Sequence, residues 1–231
     1  MENLLQNEKL EIACFNLESA LVAAKSNADR IELCADVSTG GITPSFEDIK
    51  TLRKETDKEI MVMIRPRDGD FCYSDEEFEQ MKSEIIMIKN FRIDGFVFGI
   101  LNEDNEIDFE RNHELIELAK PFPCTFHRAF DRTSDAENSL QIVIDLGFKT
   151  ILTSGLDSNV YDGKRELKNL VKKAENQITI MPGGGLRSTN IEEIDSYTNA
   201  TYFHSSAMID DSGIANLEEI NRLKSMINSE K

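Results

Sequence analysis

Apolar and β-branched residues recur along the chain in eight short runs, at residues 10–15, 30–34, 60–65, 94–99, 123–128, 149–155, 178–184 and 201–206. Between them lie longer segments whose apolar positions repeat with helical spacing. Strands of this length that alternate with helices need both sheet faces covered, and right-handed crossovers then give a parallel α/β fold. Eight such units in one domain predict a closed parallel (β/α)8 TIM barrel rather than an open doubly wound sheet. The turn after the first strand agrees. It reads Phe15-Asn16-Leu17-Glu18 and lacks the glycine-rich turn of a dinucleotide site, so no nucleotide cofactor is expected. Helix starts are legible too. Thr43 before Pro44 reads as an N-cap and first helical residue, and Ser74, Ser134 and Asn190 each stand three residues before a glutamate, as in a capping box. A last helix at about 214–227 should close the ring beside the first. The barrel is expected to fill residues 10–231 as a single domain, with 1–9 a short arm before strand one.

Polar residues interrupt these runs near their ends, where a barrel builds its site. Side chains alternate between the two faces of a strand, so parity sorts them. Glu32 and Cys34 share one side of strand two while Ile31 and Leu33 take the other, which suits the helices. Thr125 goes with His127, Met63 with Arg65, and Tyr202 with His204. Glu11, Glu32, Arg65, His127 and His204 therefore converge on one interior. Buried charges are costly unless paired, so such a cluster is either an ion-pair network or a site. Glu11 opens its strand and suits a network. His127 leads into Arg128 and Asp131 at a loop-like exit and suits a site. Proton transfer by Glu32 and His204, and by His127 with Asp131 as an acid–base pair, with Arg65 and Arg128 holding an anion, is the chemistry this set allows. A divalent metal on Glu32, His127 and His204 is a further reading. Arg67, in the loop Arg-Pro-Arg-Asp-Gly-Asp-Phe after strand three, adds a second cation. Gly40-Gly41, and Gly183, Gly184 and Gly185 with Arg187, Ser205 and Ser206, offer backbone N–H groups and side chains for an anion.

Composition narrows the partners. The formal charge is −17, from 43 acidic and 26 basic residues, and such a field repels nucleic acid and anionic membrane. The acidic run at 75–77 reads as the first turn of a helix. No apolar run approaches the roughly 20 residues that cross a bilayer, and residues 1–9 carry neither a basic segment nor a long apolar one. Cys14, Cys34, Cys72 and Cys124 form no CxxC pair and no zinc module, so free thiols in a reducing cytoplasm are expected.

Laid end to end, these segments resemble the copper homeostasis protein CutC family. The motifs that carry the resemblance are Asn27–Ser45, Val62–Glu77, Asp94–Asp108, the Thr-Phe-His-Arg-Ala-Phe-Asp of 125–131, Ile-Leu-Thr-Ser-Gly of 151–155, Ile-Met-Pro-Gly-Gly-Gly-Leu-Arg of 180–187 and Phe-His-Ser-Ser-Ala of 203–207. They extend from strand two to strand eight. The chain departs from the family pattern at Ser205 and Leu156, where glycine or a small residue is usual. The resemblance implies a cytoplasmic TIM barrel, assembled as a homodimer or higher homo-oligomer, that takes part in copper handling. It also implies Cu(I) on Cys14 and Cys34, and thiolate is the soft ligand that Cu(I) prefers. Strand parity leaves open whether Cys14 faces Cys34. The residues themselves equally allow a lyase, isomerase or hydrolase acting on a small anionic or phosphorylated metabolite.

Overall fold

A computed structural model of the protein describes residues 8–227. It shows eight parallel strands, each followed by a helix. The strands are β1 (Lys9–Cys14), β2 (Arg30–Leu33), β3 (Glu59–Met63), β4 (Gly95–Phe98), β5 (Cys124–Phe126), β6 (Thr150–Thr153), β7 (Thr179–Pro182) and β8 (Tyr202–Ser205). The helices are α1 (Leu17–Ala24), α2 (Phe46–Glu55), α3 (Asp75–Ile88), α4 (Phe109–Ala119), α5 (Ala136–Leu146), α6 (Lys164–Ala174), α7 (Ile191–Thr198) and α8 (Leu217–Ile227). The ladder runs from β7 down to β1 and then to β8, so the two terminal strands meet. No ladder hydrogen bond joins β7 to β8 among the described residues. Side-chain packing closes that seam: a Cβ on Gly183 would stand 2.9 Å from His204 Nδ1. The (β/α)8 barrel read from the sequence is present, nearly closed. No helix among the described residues is long and apolar enough to cross a membrane.

Helix starts follow local chemistry. The capping box at Ser74 is complete, with its hydroxyl on the Glu77 N–H and Glu77 reaching back to the Ser74 N–H. Three expected caps differ. α2 begins after Ser45, whose hydroxyl caps the Asp48 N–H, because Thr43 is drawn instead to the Arg65 backbone and to Glu84. α5 begins after Asp135 rather than Ser134, since one carboxylate takes both the Glu137 and Asn138 N–H groups. Asn190 precedes α7 but spends its side chain on the β7 loop, accepting from the Arg187 N–H and donating to the Gly185 carbonyl. The last helix starts at Leu217, not near 214. Of the expected arm, residues 1–7 lie outside the described residues and Lys9 already belongs to β1.

Two packed layers result. Leu10, Ile12, Ile31, Leu33, Ile60, Val62, Phe96, Phe98 and Phe126 lie fully buried between sheet and helices. Each such side chain contributes about 1.5–3 kcal/mol through removal from water. Inside the barrel, Cys34, Met61, Met63 and Val97 form a smaller apolar cluster. Around it the interior is polar, with Glu11 and Arg30 toward the strand starts and Glu32 level with Met61.

Candidate functional site

A cavity of about 240 Å³ opens at the C-terminal end of the strands. Its charged and imidazole wall consists of Glu32, Arg65, His127, Arg128, Arg187 and His204, and Phe15, Val37, Phe71 and Met208 give it an apolar side. Among them Glu32, Arg65, His127 and His204 share the interior that strand parity assigns them. Pairing in the ladder sets Glu11 beside both Arg30 and His204, and Ala13 beside Glu32. Glu32, Arg65, His127 and His204 are all buried, which is where a polar wall must either pair or wait for a ligand.

At the floor, His204 Nε2 and Glu32 Oε2 are 2.7 Å apart and share a hydrogen bond. Burial works against a charged imidazole there, but the Glu32 carboxylate, with Glu11 adding to it, outweighs burial and raises the His204 pKa above its ordinary value. Glu11, fully buried, binds the Nε–H of Arg30 and has its other oxygen 3.8 Å from His204 Nε2. Burial raises the Glu11 pKa, and Arg30 opposes that rise. Arg30 also lies over the Tyr202 ring, 4.4 Å from its centroid. Arg30 is not among the residues expected from the sequence. The signal that could have found it is parity, because Arg30 shares a strand face with Glu32 and faces Glu11 across the ladder.

Glu11, Glu32 and His204 bring one ligating atom each within 4.8 Å of one another. Glu11 Oε1 and Glu32 Oε1 are buried with no hydrogen-bond partner among the described residues. Two orphaned carboxylate oxygens and an imidazole fit a metal ion, with donors of the kind that divalent ions accept. The triad read from the sequence had His127 in place of Glu11. His127 sits instead beside Phe71, their ring centroids 4.8 Å apart.

The anion-binding expectations divide. Arg128 donates from Nε–H to Asp131 at 2.8 Å and from its Nη2 to the Ser154 hydroxyl at 2.7 Å, which holds its guanidinium across Gly184. Gly184 has φ +103°, and a Cβ there would stand 2.9 Å from the Arg128 Cζ, so both backbone and approach require glycine. Arg187 reaches Ser206 Oγ at 3.1 Å and Ser205 Oγ at 3.3 Å, and donates to the Met208 carbonyl at 3.0 Å. Gly184, Gly185, Ser205 and Ser206 line the cavity with these two arginines. Gly183 does not; it serves the seam, and its N–H goes to the Thr153 carbonyl at 3.0 Å. Arg67 turns outward to Glu77, Asp70 and the Cys72 carbonyl, because its loop supplies those acceptors first. Arg65 lines the cavity while donating to the carbonyls of Thr39, Gly41 and Gly69, so it ties two mouth loops together.

Asp131 does not meet His127. Its carboxylate takes the Ser154 N–H at 3.0 Å, the Leu156 N–H at 3.2 Å and the hydroxyls of Thr153 and Ser154, besides Arg128. An acceptor so fully used anchors the loop after β6 and fixes Arg128; the expected His127–Asp131 acid–base pair is not formed. Nor does the structure bring the two thiols together. Cys14 stands opposite Leu33 in the ladder and follows Leu10 and Ile12 into the layer under the helices. Cys34 follows Glu32 inward, against Met61 and Met63, and lines the cavity. The one-residue offset puts them on opposite faces, so the expected two-sulfur cradle is absent. Burial, followed by the Glu32 charge, pushes both thiols well above their ordinary pKa.

Comparison with known proteins agrees with this architecture. Residues 8–209 match the CutC family. The human copper homeostasis protein cutC homolog is 43% identical over 198 residues, which cover 86% of this chain and 72% of the human protein. A CutC protein of Parabacteroides distasonis is 43% identical over 199 residues, covering 86% of this chain and 82% of its own. The CutC structure from Streptococcus agalactiae aligns with a TM-score of 0.82 and 33% identity, over 86% of this chain and 98% of that one. Phosphoribosylanthranilate isomerase from Thermotoga maritima, at 16% identity and a TM-score of 0.61 over 95% of this chain and 98% of that one, shares the fold alone. By motif, by identity and by architecture, the chain belongs to the CutC family.

Proposed function

We propose that the protein binds and transforms a small anionic metabolite at the mouth of its barrel, as a lyase, isomerase or hydrolase. The observation that carries this reading is the Glu32–His204 hydrogen bond of 2.7 Å on the floor of a cavity whose rim bears Arg128 and Arg187. In a chain of net charge −17, cations gathered on one cavity select an anion locally against the field of the whole molecule. Arg128, the backbone of Gly184 and Gly185, Arg187 and Ser206 would hold the anionic group. The carboxylate–imidazole pair would move a proton on the part of the ligand that reaches the floor. Asp131 and Ser154 act through Arg128 by fixing its fork. The test is a thermal-shift and calorimetric screen of phosphorylated and carboxylated metabolites on metal-free protein. Binding by such an anion, lost in Arg128→Met, is expected; indifference to every anion contradicts the proposal.

A second reading is favoured by the orphaned oxygens of Glu11 and Glu32, which with His204 form a pre-built metal set. Copper enters through the names of the relatives, and Cys34 is the soft donor that lines the same cavity. A bound ion would supply Lewis acidity beside the anion clamp. Separate titrations with Cu(I), under anaerobic conditions, and with Cu(II) and Zn²⁺ test it. Loss of metal binding in Glu32→Gln supports the site, and unchanged binding removes it. A cytoplasmic setting suits four free thiols. Exposed Ile86 and Met87 on α3 and Phe109 on α4 suit burial in a homo-oligomer, which light scattering would measure.

A further inference from the structure

We infer that His127 is a fixed, uncharged hydrogen-bond donor for a carbonyl or carboxylate oxygen of the ligand. The inference rests on the anionic-metabolite reading above and adds a second functional group to that ligand. Three observations carry it. First, His127 Nδ1 accepts the Ala129 backbone N–H at 3.3 Å, so the neutral ring carries its hydrogen on Nε2. Second, Nε2 is buried with no partner among the described residues, although the ring belongs to the cavity wall. A buried donor left without an acceptor is costly, and native proteins keep such a group where something arrives to take it. Third, the ring cannot easily turn elsewhere. Phe71 lies on one side at 4.8 Å between centroids, Phe126 meets its edge at 6.2 Å, and a Cβ on Gly99 would stand 2.9 Å from Nδ1. Gly99 is therefore the residue that lets the imidazole seat against β4.

Charge selects the role. Burial, with the neighbouring Arg65 guanidinium adding to it, lowers the His127 pKa to about 3. The ring thus stays neutral across the physiological range, and Asp131, the carboxylate nearest in sequence, is committed elsewhere. A neutral imidazole with a locked tautomer cannot shuttle protons near neutral pH. It can polarise a carbonyl, or seat one oxygen of a carboxylate, without adding a charge to the site. The ligand chemistry that follows is an anion for Arg128 and Arg187 joined to an oxygen acceptor for His127.

The experiment uses the full chain, uniformly ¹⁵N-labelled, and two probes: 2-phosphoglycolate, which has a phosphate and a carboxylate, and inorganic phosphate, which lacks the second group. With only three histidines the imidazole spectrum is readily assigned. His127 should show the neutral Nε2–H pattern from pH 5 to 8, and its Nε2–H proton should move downfield with 2-phosphoglycolate but not with phosphate. His127→Phe should weaken 2-phosphoglycolate tenfold or more while leaving phosphate affinity unchanged. His127→Gln, which keeps a donor and guards against misfolding of the first variant, should recover part of the loss. A cationic ring or an Nδ1–H tautomer at pH 7 overturns the inference alone. So does equal binding of 2-phosphoglycolate by wild type and both variants, which leaves the anion reading standing. Failure of the wild type to bind either probe overturns the inference, whereas the anion reading falls only with indifference to the whole metabolite screen.

Discussion

Two buried carboxylates one strand apart should respond very differently to the same substitution. Glu11 neutralises Arg30, a guanidinium that is 7% exposed and has no way of shedding its charge, because arginine stays protonated in any folded protein. Glu11→Gln therefore leaves an uncompensated buried cation. Removing one partner of such a pair costs roughly 3–5 kcal/mol, softened toward the lower figure by the Tyr202 ring 4.4 Å away. Glu32 faces His204, which can release its proton when the carboxylate is gone and still donate one hydrogen bond to the new amide. Glu32→Gln should then cost about 1–2 kcal/mol, the difference between a charge-assisted hydrogen bond and the neutral one that remains. For a chain of this size about 1 kcal/mol moves Tm by about 2–4 °C, so the expected losses are about 6–20 °C for Glu11→Gln and about 2–8 °C for Glu32→Gln. Urea unfolding at pH 7, with midpoints compared at constant slope, measures both. A Glu32→Gln loss equal to or larger than that of Glu11→Gln would refute the division between a scaffolding pair and a site pair. Negligible loss in Glu11→Gln would mean that Glu11 holds its own proton in the native state.

Gly184→Ala forces a Cβ at φ +103° to within 2.9 Å of the Arg128 Cζ, so it should cost about 1–3 kcal/mol and displace the anion clamp. Loss of anion binding well beyond the fall in Tm is the expected result of calorimetry. The folded pKa of His127, about 3, lies below the ordinary 6.5, so acid favours the unfolded chain and stability is lost as pH falls below 6.5 toward 3. At pH 5 that amounts to about 2 kcal/mol, and His127→Gln should narrow the drop between pH 7 and pH 5 by about that much in urea titrations. Cys14→Ala opens a small void under the helices and should cost about 1 kcal/mol without changing the affinity for any metal, as titration of the variant would show.

The barrel was legible because its signal is periodic: eight runs each matched a strand within about two residues, and parity alone put Glu32, Arg65, His127 and His204 on one interior. What parity could not supply was where each polar end is spent. Asp131 sits three residues after Arg128 in sequence, which suggested a catalytic exit, yet the backbone of the next loop claims its carboxylate. Arg67 looked equivalent to Arg65, but one faces inward and the other meets Glu77 and Asp70 on the surface. Helix starts slipped by one or two residues wherever two capping side chains competed, as at Thr43 and Ser45. Cys14 and Cys34 end neighbouring strands, and only the ladder register shows that alternation sends their sulfurs to opposite faces. Arg30 was missed because it opens its strand, where a charge reads as a solvated end rather than as the partner of Glu11.

The proposed function rests on the polar end of the barrel binding a small anion between Arg128 and Arg187. The most direct measurement is a crystal structure of metal-free protein soaked with the best anion from the screen, paired with calorimetry on Arg128→Met. Ordered density is expected between Arg128, Gly184 and Arg187, reaching the Glu32–His204 pair, with at least tenfold weaker binding in the variant. An empty cavity with unchanged affinity in Arg128→Met would contradict the proposed function.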